Sequence, residues 1–196
     1  MTGSERRRQL IEVAKSLFAE RGFDATSIEE IAQRANVSKP VVYEHFGGKE
    51  GLYAVVVDRE MSMLLDRITA SLTENRSRVR IERVAMALLT YVEERTDGFR
   101  ILIRDSPAGT TSGTYASLLN DAVNQVASIL AGDFSRRGLD PELAPLYAQA
   151  LVGSVSMTAQ WWLDVREPPK EVVAAHVVNV VWNGLTHLEA NPELED

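Results

Sequence analysis

A short polar segment, residues 38–49, carries the side chains whose types and spacing best suit binding. Its polar members are Ser38, Lys39, Tyr43, His45 and Lys49. Hydroxyl, imidazole and ammonium groups of this kind donate to phosphate oxygens and to the edges of bases. Apolar Val42 and Phe46 stand four residues apart between them, which is the spacing of one face of a helix. The segment therefore predicts a short helix with an apolar back and a polar front.

A tight turn separates this helix from another helix before it. Ser27, with a glutamate three residues later, has the pattern of a capping box and predicts a helix through residue 35. Asn36 tolerates a positive φ, Ser38 caps the next helix, and Pro40 lies in its first turn, where a missing N–H costs nothing. Gly47-Gly48 ends that helix. Two short helices joined in this way fit a helix-turn-helix, whose second helix enters the major groove of DNA.

The preceding residues predict one more helix. Apolar residues recur at helical spacing from Leu10 to Phe18. We expect Ser4 to cap the start of this helix and Gly22 to end it in the left-handed conformation. Residues 1–4 are then a tail. The arginines at 6–8 are interpreted as part of a frayed tail, with an arm in the minor groove as the alternative.

Within a helix-turn-helix, the residues at the start of the second helix meet base edges. A hydroxyl, an imidazole and a flexible cation around the N-terminus of the next helix suit phosphates, which the exposed N–H groups there also favour. The expected base-edge group consists of Ser38, Lys39, Pro40 and Val41. The expected phosphate group consists of Tyr43, His45 and Lys49.

Residues 10–53 resemble the DNA-binding domain of TetR-type transcriptional regulators. The resemblance rests on AKSLFAERGFDATSIEEIAQRANVSKPVVYEHFGGKEGLY, which follows the family pattern nearly end to end. It implies that Thr26 and Ser27 begin the second helix where this approaches the DNA backbone. The matching recognition positions are Lys39, Pro40, Val41 and Tyr43, the matching phosphate-contacting positions are His45 and Lys49, and the matching core positions are Ala32, Val42 and Phe46.

The rest of the chain also has helical spacing, so the fold class is all-α. We expect further helices over residues 49–72, 79–96, 99–104, 115–137, 141–165 and 170–188, with a loop at 105–114. The expected domains are a helix-turn-helix DNA-binding domain, residues 1–50, and a helical effector-binding and dimerisation domain, residues 51–196.

One helix-turn-helix reads only a few base pairs, so two copies on half-sites one helical turn apart, or a multiple of it, are needed for specificity. The helices at 141–165 and 170–188 are apolar on more than one face and are candidates for a four-helix dimer interface, which the resemblance also implies. A single intramolecular core would use some of the same residues, so we expect one side of these helices to form the dimer and the other side to form the core of the domain. The candidate interface residues are Leu151, Val155, Trp162, Val173, Val177, Val180, Val181, Gly184 and Leu188.

The resemblance further implies a pocket for a small effector in the C-terminal domain. We expect an apolar or amphipathic molecule, held by large apolar side chains and oriented by a few polar ones. The candidate pocket residues are Phe99, Leu102, Tyr115, Leu119, Met157, Thr158, Gln160 and Trp161.

Composition excludes several other classes. The chain has 21 basic and 28 acidic residues, and its excess of negative charge lies outside residues 1–53, which are neutral. It has no cysteine, and its apolar runs are far short of the ~18 residues of a membrane span. Neither its histidines nor its glycine-rich loop has the spacing of a metal site or a phosphate cradle. We therefore expect no catalytic residue, no metal and no cofactor.

The sequence thus predicts a cytoplasmic, homodimeric repressor that binds a palindromic DNA operator and is released by a small effector. Two alternatives stay open: an activator of the same fold, and an apolar-ligand-binding helical dimer without operator recognition.

Overall fold

The computed structural model describes residues 2–72, 76–104, 114–189 and 192. Over these residues the chain forms nine α-helices and one 3₁₀ turn, without a strand, which confirms the all-α class. The chain divides into two compact units. Unit 1 consists of Met1–Asp66 and Tyr91–Tyr115, and unit 2 of Arg67–Thr90 and Ala116–Asp196. The boundary expected from the sequence, at residue 50, falls inside unit 1.

Unit 1 begins with α1 (Gly3–Arg21), whose start is capped by Thr2 instead of the expected Ser4. The Thr2 hydroxyl accepts from the Glu5 N–H, and the Glu5 carboxylate accepts from the Thr2 N–H. This reciprocal pair stabilises the first turn, so the arginines at 6–8 belong to a helix and not to a frayed tail. Gly22 ends α1 with a positive φ of 84° but an extended ψ of 172°, so it lies outside the expected left-handed helical region.

The next two helices are α2 (Ile28–Arg34) and α3 (Lys39–Phe46). The Ser27 hydroxyl accepts from the Glu30 N–H at 3.2 Å and caps α2. Asn36 has the expected positive φ of 53°, and Gly47 ends α3 in the left-handed conformation at φ 74°. Ser38 is the N-cap residue of α3, but its side chain makes no capping hydrogen bond.

Helices α4 (Lys49–Ser71) and α5 (Ser77–Glu94) contribute to both units, and α6 (Thr96–Ile103) belongs to unit 1. α1 packs against α2 and α6, and α2 packs against α3. The core of unit 1 is apolar, and its completely covered side chains include Leu10, Leu17, Ile31, Val42, Leu52 and Phe99.

One ionised group, Glu60 of α4, lies inside this core with only 2% of its surface exposed. Its carboxylate accepts from the Tyr91 hydroxyl and from Arg95 Nε, each at 2.8 Å, and lies 3.7 Å from Lys15 Nζ. A Cβ atom on Gly98 of α6 would stand 2.1 Å from Glu60 Oε2, so a larger residue there would displace the carboxylate from its present position. The cluster therefore joins four helices of unit 1.

Unit 2 contains α7 (Tyr115–Arg137) from Ala116 onward, α8 (Ala144–Val165) and α9 (Lys170–Thr186). The bounds of α7 agree with the sequence prediction. The first residues of the expected helix at 141–165 form a 3₁₀ turn, Pro141–Leu143, and α9 ends two residues earlier than expected, at Thr186. Of the loop expected at 105–114, residues 105–113 lie outside the described residues.

A core of unit 2 forms around Phe134, with Leu130, Ala144 and Ala148. Tyr147 contacts the edge of the Phe134 ring at a centroid distance of 5.3 Å. α8 packs against α9. None of the helices in the described ranges is long and apolar enough to cross a bilayer.

Candidate nucleic-acid interface

The helix α3 presents a polar front, and its predicted apolar back is only partly covered, because Phe46 is half-buried. Val42 is completely buried, whereas Tyr43 keeps 53% of its surface exposed. Ser38, Lys39 and Pro40 are exposed at the N-terminal end of the helix. The side chains expected at base edges therefore share an accessible end of the helix, except that Val41 is half-buried.

Lys39 forms an ion pair with Glu29 of α2. The side chains are 48% and 60% exposed, so the pair is surrounded by water and contributes only about 0–1 kcal/mol. Lys39 can therefore exchange this partner for an acceptor on a base at little cost.

The two residues at the start of α2 have different surroundings. Ser27 is exposed and caps the helix, so it remains accessible to a phosphate. Thr26 is 1% exposed, and its hydroxyl donates to the carbonyl oxygens of Gly22, at 2.7 Å, and Leu17. The structure thus contradicts a DNA contact by the Thr26 side chain, which instead closes the loop between α1 and α2.

Lys49 is half-buried and its ammonium group faces the protein. Nζ donates to the carbonyl oxygen of Phe23 at 3.0 Å and lies 4.2 Å from the centroid of the Phe23 ring. That ring contacts Tyr53 of α4 edge to face at 5.0 Å. In this structure Lys49 therefore ties the start of α4 to the loop between α1 and α2, and a phosphate contact requires it to leave Phe23.

His45 lies half-buried near the end of α3, with its ring 6.0 Å from that of Phe46. Its carbonyl oxygen accepts from Arg7 Nη1 at 2.6 Å. Gln9 of α1 donates to the carbonyl oxygen of Ala35, where α2 ends. Neither contact from α1 was predicted from the sequence.

A signal for Arg7 was present in the sequence. Arg7 precedes Leu10, Ala14 and Leu17 by three, seven and ten residues, so it extends their apolar stripe toward the N-terminus. Because the stripe faces the core, a long side chain at position 7 must lie along the surface of the neighbouring helices.

The candidate pocket residues are divided between the two units. Phe99, Leu102 and Tyr115 are buried in unit 1, and the rings of Phe99 and Tyr115 meet edge to face at 5.6 Å. The Tyr115 hydroxyl has no hydrogen-bond partner among the described residues, and burial raises its pKa. Leu119, Thr158 and Gln160 are half-buried in unit 2.

Met157 and Trp161 of α8 contradict their assignment to an enclosed pocket. They are 63% and 51% exposed, and they lie one helical turn apart on the same face as Leu146 and Val165. This exposed apolar face of α8 is a better candidate for contact with another chain.

The candidate dimer residues also separate into two groups. Trp162, Val173 and Val181 are buried within the single chain, so a second chain cannot cover them. The Trp162 indole N–H donates to the carbonyl oxygen of Pro168 at 2.8 Å, which fixes the ring inward. Val180 and Gly184 are exposed on α9, whereas the half-buried candidates are Leu151, Val155, Val177 and Leu188.

Two family models match this chain. Residues 10–56 match the model of bacterial regulatory proteins of the tetR family, and residues 77–184 match that of the tetracyclin repressor-like C-terminal domain. The first match covers α1 from Leu10 onward, α2, α3 and the start of α4. The second covers most of the remaining helices.

Relatives agree with these models along most of the chain. The transcriptional activator FasR of Mycolicibacterium smegmatis is 32% identical over 189 residues, which cover 94% of this chain and 84% of FasR. The transcriptional repressor KstR2 of Rhodococcus jostii is 27% identical over 195 residues, which cover 93% of this chain and 92% of KstR2. The solved structure of a TetR-like transcriptional regulator from Rhodococcus sp. RHA1 superposes with a TM-score of 0.78 at 25% identity, covering 92% of this chain and 96% of the other.

Proposed function

This chain belongs to the TetR family of bacterial regulatory proteins, and from that premise we propose that it is a homodimeric transcriptional repressor. It is a DNA-binding regulator with a helix-turn-helix. The proposal adds that it binds a palindromic operator and is released by a small apolar or amphipathic effector. Its main support is the exposed N-terminal end of α3, where Lys39 and Tyr43 face solvent while Val42 anchors the helix from behind.

We assign direct readout to the N-terminal end of α3. Lys39 can donate to guanine O6 or N7, and Pro40 can pack on a thymine methyl group. Ser27, Ser38 and Tyr43 have exposed hydroxyl groups that can donate to phosphates without sequence preference. The roles of Val41, His45 and Lys49 in DNA binding are weaker proposals, because all three are half-buried.

Dimerisation is assigned to the exposed faces of α8 and α9. Leu146, Met157, Trp161 and Val165 share one face of α8, and Val180 is 71% exposed on α9. Large apolar side chains in one row on the surface of a single chain are typical of an interface. A second copy that covers both helices would give the four-helix interface expected from the sequence.

The effector and the cellular location are parts of the same proposal. An effector acts on DNA binding only if it prefers one of two dimer conformations. We place the protein in the cytoplasm, where the chromosome lies. We propose no catalytic activity, because the relatives named above are transcriptional regulators.

The test begins with selection of duplexes from a random-sequence library by the unaltered chain. Binding of the selected duplex is then compared between Lys39→Ala and Arg136→Ala, which removes an exposed charge from the last turn of α7. We expect Lys39→Ala to relax the preference at one base pair by about 1–3 kcal/mol and Arg136→Ala to change nothing. Failure of the unaltered chain to select any sequence would contradict the proposal and favour a ligand-binding dimer without an operator.

Activation is a second candidate, and the relationship to the activator FasR favours it. A promoter fused to a reporter gene separates the two functions. The selected site is placed either across the promoter or upstream of it. A repressor lowers expression from the overlapping site, whereas an activator raises expression from the upstream site.

A further inference from the structure

Two residues near the start of α1 donate hydrogen bonds to backbone carbonyl groups just before the recognition helix α3 and in its last turn. Gln9 Nε2 donates to the carbonyl oxygen of Ala35, before the turn, at 3.3 Å. Arg7 Nη1 donates to the carbonyl oxygen of His45, in the last turn of α3, at 2.6 Å. The Arg7 guanidinium also lies over the Phe46 ring, 4.4 Å from its centroid. Side chains of α1 therefore bind the backbone just before α3 and in its last turn.

The helix α3 also packs against α2. The helix has eight residues, of which only Val42 is buried. Isolated helices of this length are unstable in water. Val42 anchors the middle of the helix, and Val41, His45 and Phe46 are half-buried. The last carbonyl groups of a helix need partners from outside it, and a cation there interacts favourably with the helix dipole. Arg7 supplies both the donor and the cation.

We propose that Arg7 is a positioning residue for DNA recognition. It fixes the C-terminal half of α3, so that Lys39 and Tyr43 meet the same groove, and it does not itself contact DNA. The inference rests on the proposed function, because it presumes that α3 reads bases. Arg7 then acts within the protein and not as part of an arm in the minor groove, because it lies within a capped helix and is half-buried.

Arg8 offers a matched control for Arg7. It is the next residue of the same helix, carries the same charge and is exposed. Arg7→Met and Arg8→Met therefore change the net charge equally and keep an unbranched side chain. Only the first removes the contacts to His45 and Phe46.

The first measurement is binding to the duplex selected by the unaltered chain and to a scrambled duplex of the same length, from about 50 to 200 mM salt. We expect Arg7→Met to weaken the selected duplex about tenfold, the effect of losing a charge-assisted hydrogen bond. Binding to the scrambled duplex and the slope of log affinity against log salt should match those of Arg8→Met. Equal weakening of both duplexes, with a slope reduced by about one, would show a phosphate contact and overturn the proposal.

The second measurement is hydrogen exchange without DNA. Arg7→Met should speed exchange of the Gly47 N–H, which bonds to the Tyr43 carbonyl, by about tenfold. The amides of α2 should be unaffected, and Arg7→Lys, which keeps a cation and a donor, should restore most of the protection. Equal acceleration across α1, α2 and α3 would mean that Arg7 only stabilises unit 1, and no acceleration would mean that it does not hold α3; either result overturns the proposal.

The two measurements also separate this inference from the proposed function. If the unaltered chain selects no duplex, the proposed function fails. Faster exchange confined to the last turn of α3 would still support the positioning of that helix by Arg7.

Discussion

At the scale of single residues, the buried carboxylate of Glu60 shows how hydrogen bonds and nearby charges oppose the effect of burial. Burial by itself raises its pKa, but the hydrogen bonds from Arg95 and Tyr91 and the charges of Arg95 and Lys15 outweigh burial. The pKa therefore lies below its ordinary value of 4.5. Burial and the adjacent carboxylate raise the pKa of Tyr91, which keeps its hydroxyl group protonated as a donor.

This environment predicts a dependence of stability on pH. Because the pKa of Glu60 is lower in the folded than in the unfolded chain, its contribution is complete above the unfolded value and is lost as the pH falls through the folded value. Glu60→Gln should reduce the free energy of unfolding by about 2–3 kcal/mol at pH 7, less than for a fully buried pair because Arg95 is 26% exposed. It should also flatten the dependence below pH 4.5. Denaturant unfolding at fixed protein concentration measures both effects.

Glu82→Gln serves as the control for Glu60→Gln. Glu82 pairs with Arg78 on the surface of α5, with 44% of its side chain exposed. Its replacement should leave the acid dependence unchanged. The pKa of Glu5 is lowered by backbone and side-chain hydrogen bonds with Thr2. Because Glu5 is present in every variant, its effect on the pH dependence of stability cancels in the comparison. If the free energy of unfolding of Glu60→Gln still falls in acid as it does in the unaltered chain, other carboxylates cause that loss.

At the scale of elements, α8 shows how adjacent tryptophans take opposite environments. Trp162 is 2% exposed and its N–H is bonded within the chain, whereas Trp161 is 51% exposed. Neighbours on a helix lie about 100° apart, so one faces the core when the other faces outward. Trp162 was predicted from the sequence to lie in the dimer interface and Trp161 in the pocket. Their burial shows instead that Trp161 is the one that a second chain can cover.

This orientation predicts that Trp161→Glu prevents dimerisation. A charge in the centre of the face of α8 must be desolvated, and loss of an aromatic contact costs about 2 kcal/mol or more, at least thirtyfold in affinity. Sedimentation equilibrium measures the change. Ile129→Glu is the control, because Ile129 is 55% exposed but lies on α7. If Ile129→Glu alone produced monomers, the interface would lie on α7.

At the scale of the whole molecule, the distribution of charge agrees with specific and not general DNA binding. Residues 1–53 have eight basic and eight acidic residues, and the remaining thirteen basic and twenty acidic residues give the net charge of −7. Most of the chain therefore repels a polyanion, and contacts of the helix-turn-helix must supply the affinity. Two helix-turn-helix units in one dimer double those contacts.

A dimer of this kind predicts a strict dependence on the spacing of the half-sites. Inserting about five base pairs, half a helical turn, between the halves of the selected site puts them on opposite sides of the duplex. Affinity should then fall to that of a single half-site. Fluorescence anisotropy with labelled duplexes measures this loss, and a substitution of the central base pairs without insertion is the control. Undiminished affinity would show that each chain binds alone.

The sequence by itself determined the helical class, the helix-turn-helix and the outward end of α3. These features depend on local rules: apolar spacing, caps, a positive φ at Asn36 and a glycine at the end of the helix. The exact bounds of α5, α6 and α9 differed from expectation by a few residues, because helix ends depend on neighbours as well as on spacing.

Only the tertiary structure decided which side chains are free to bind and which are occupied inside the protein. Thr26, Lys49 and Arg7 are polar in sequence, yet each donates to a backbone carbonyl of a preceding or distant segment. Their partners lie 4, 26 and 38 residues away, and two of these separations exceed any helical period. A periodic pattern reports which face of a helix is covered, but the partner of a long polar side chain is set by the packing of other elements against that face.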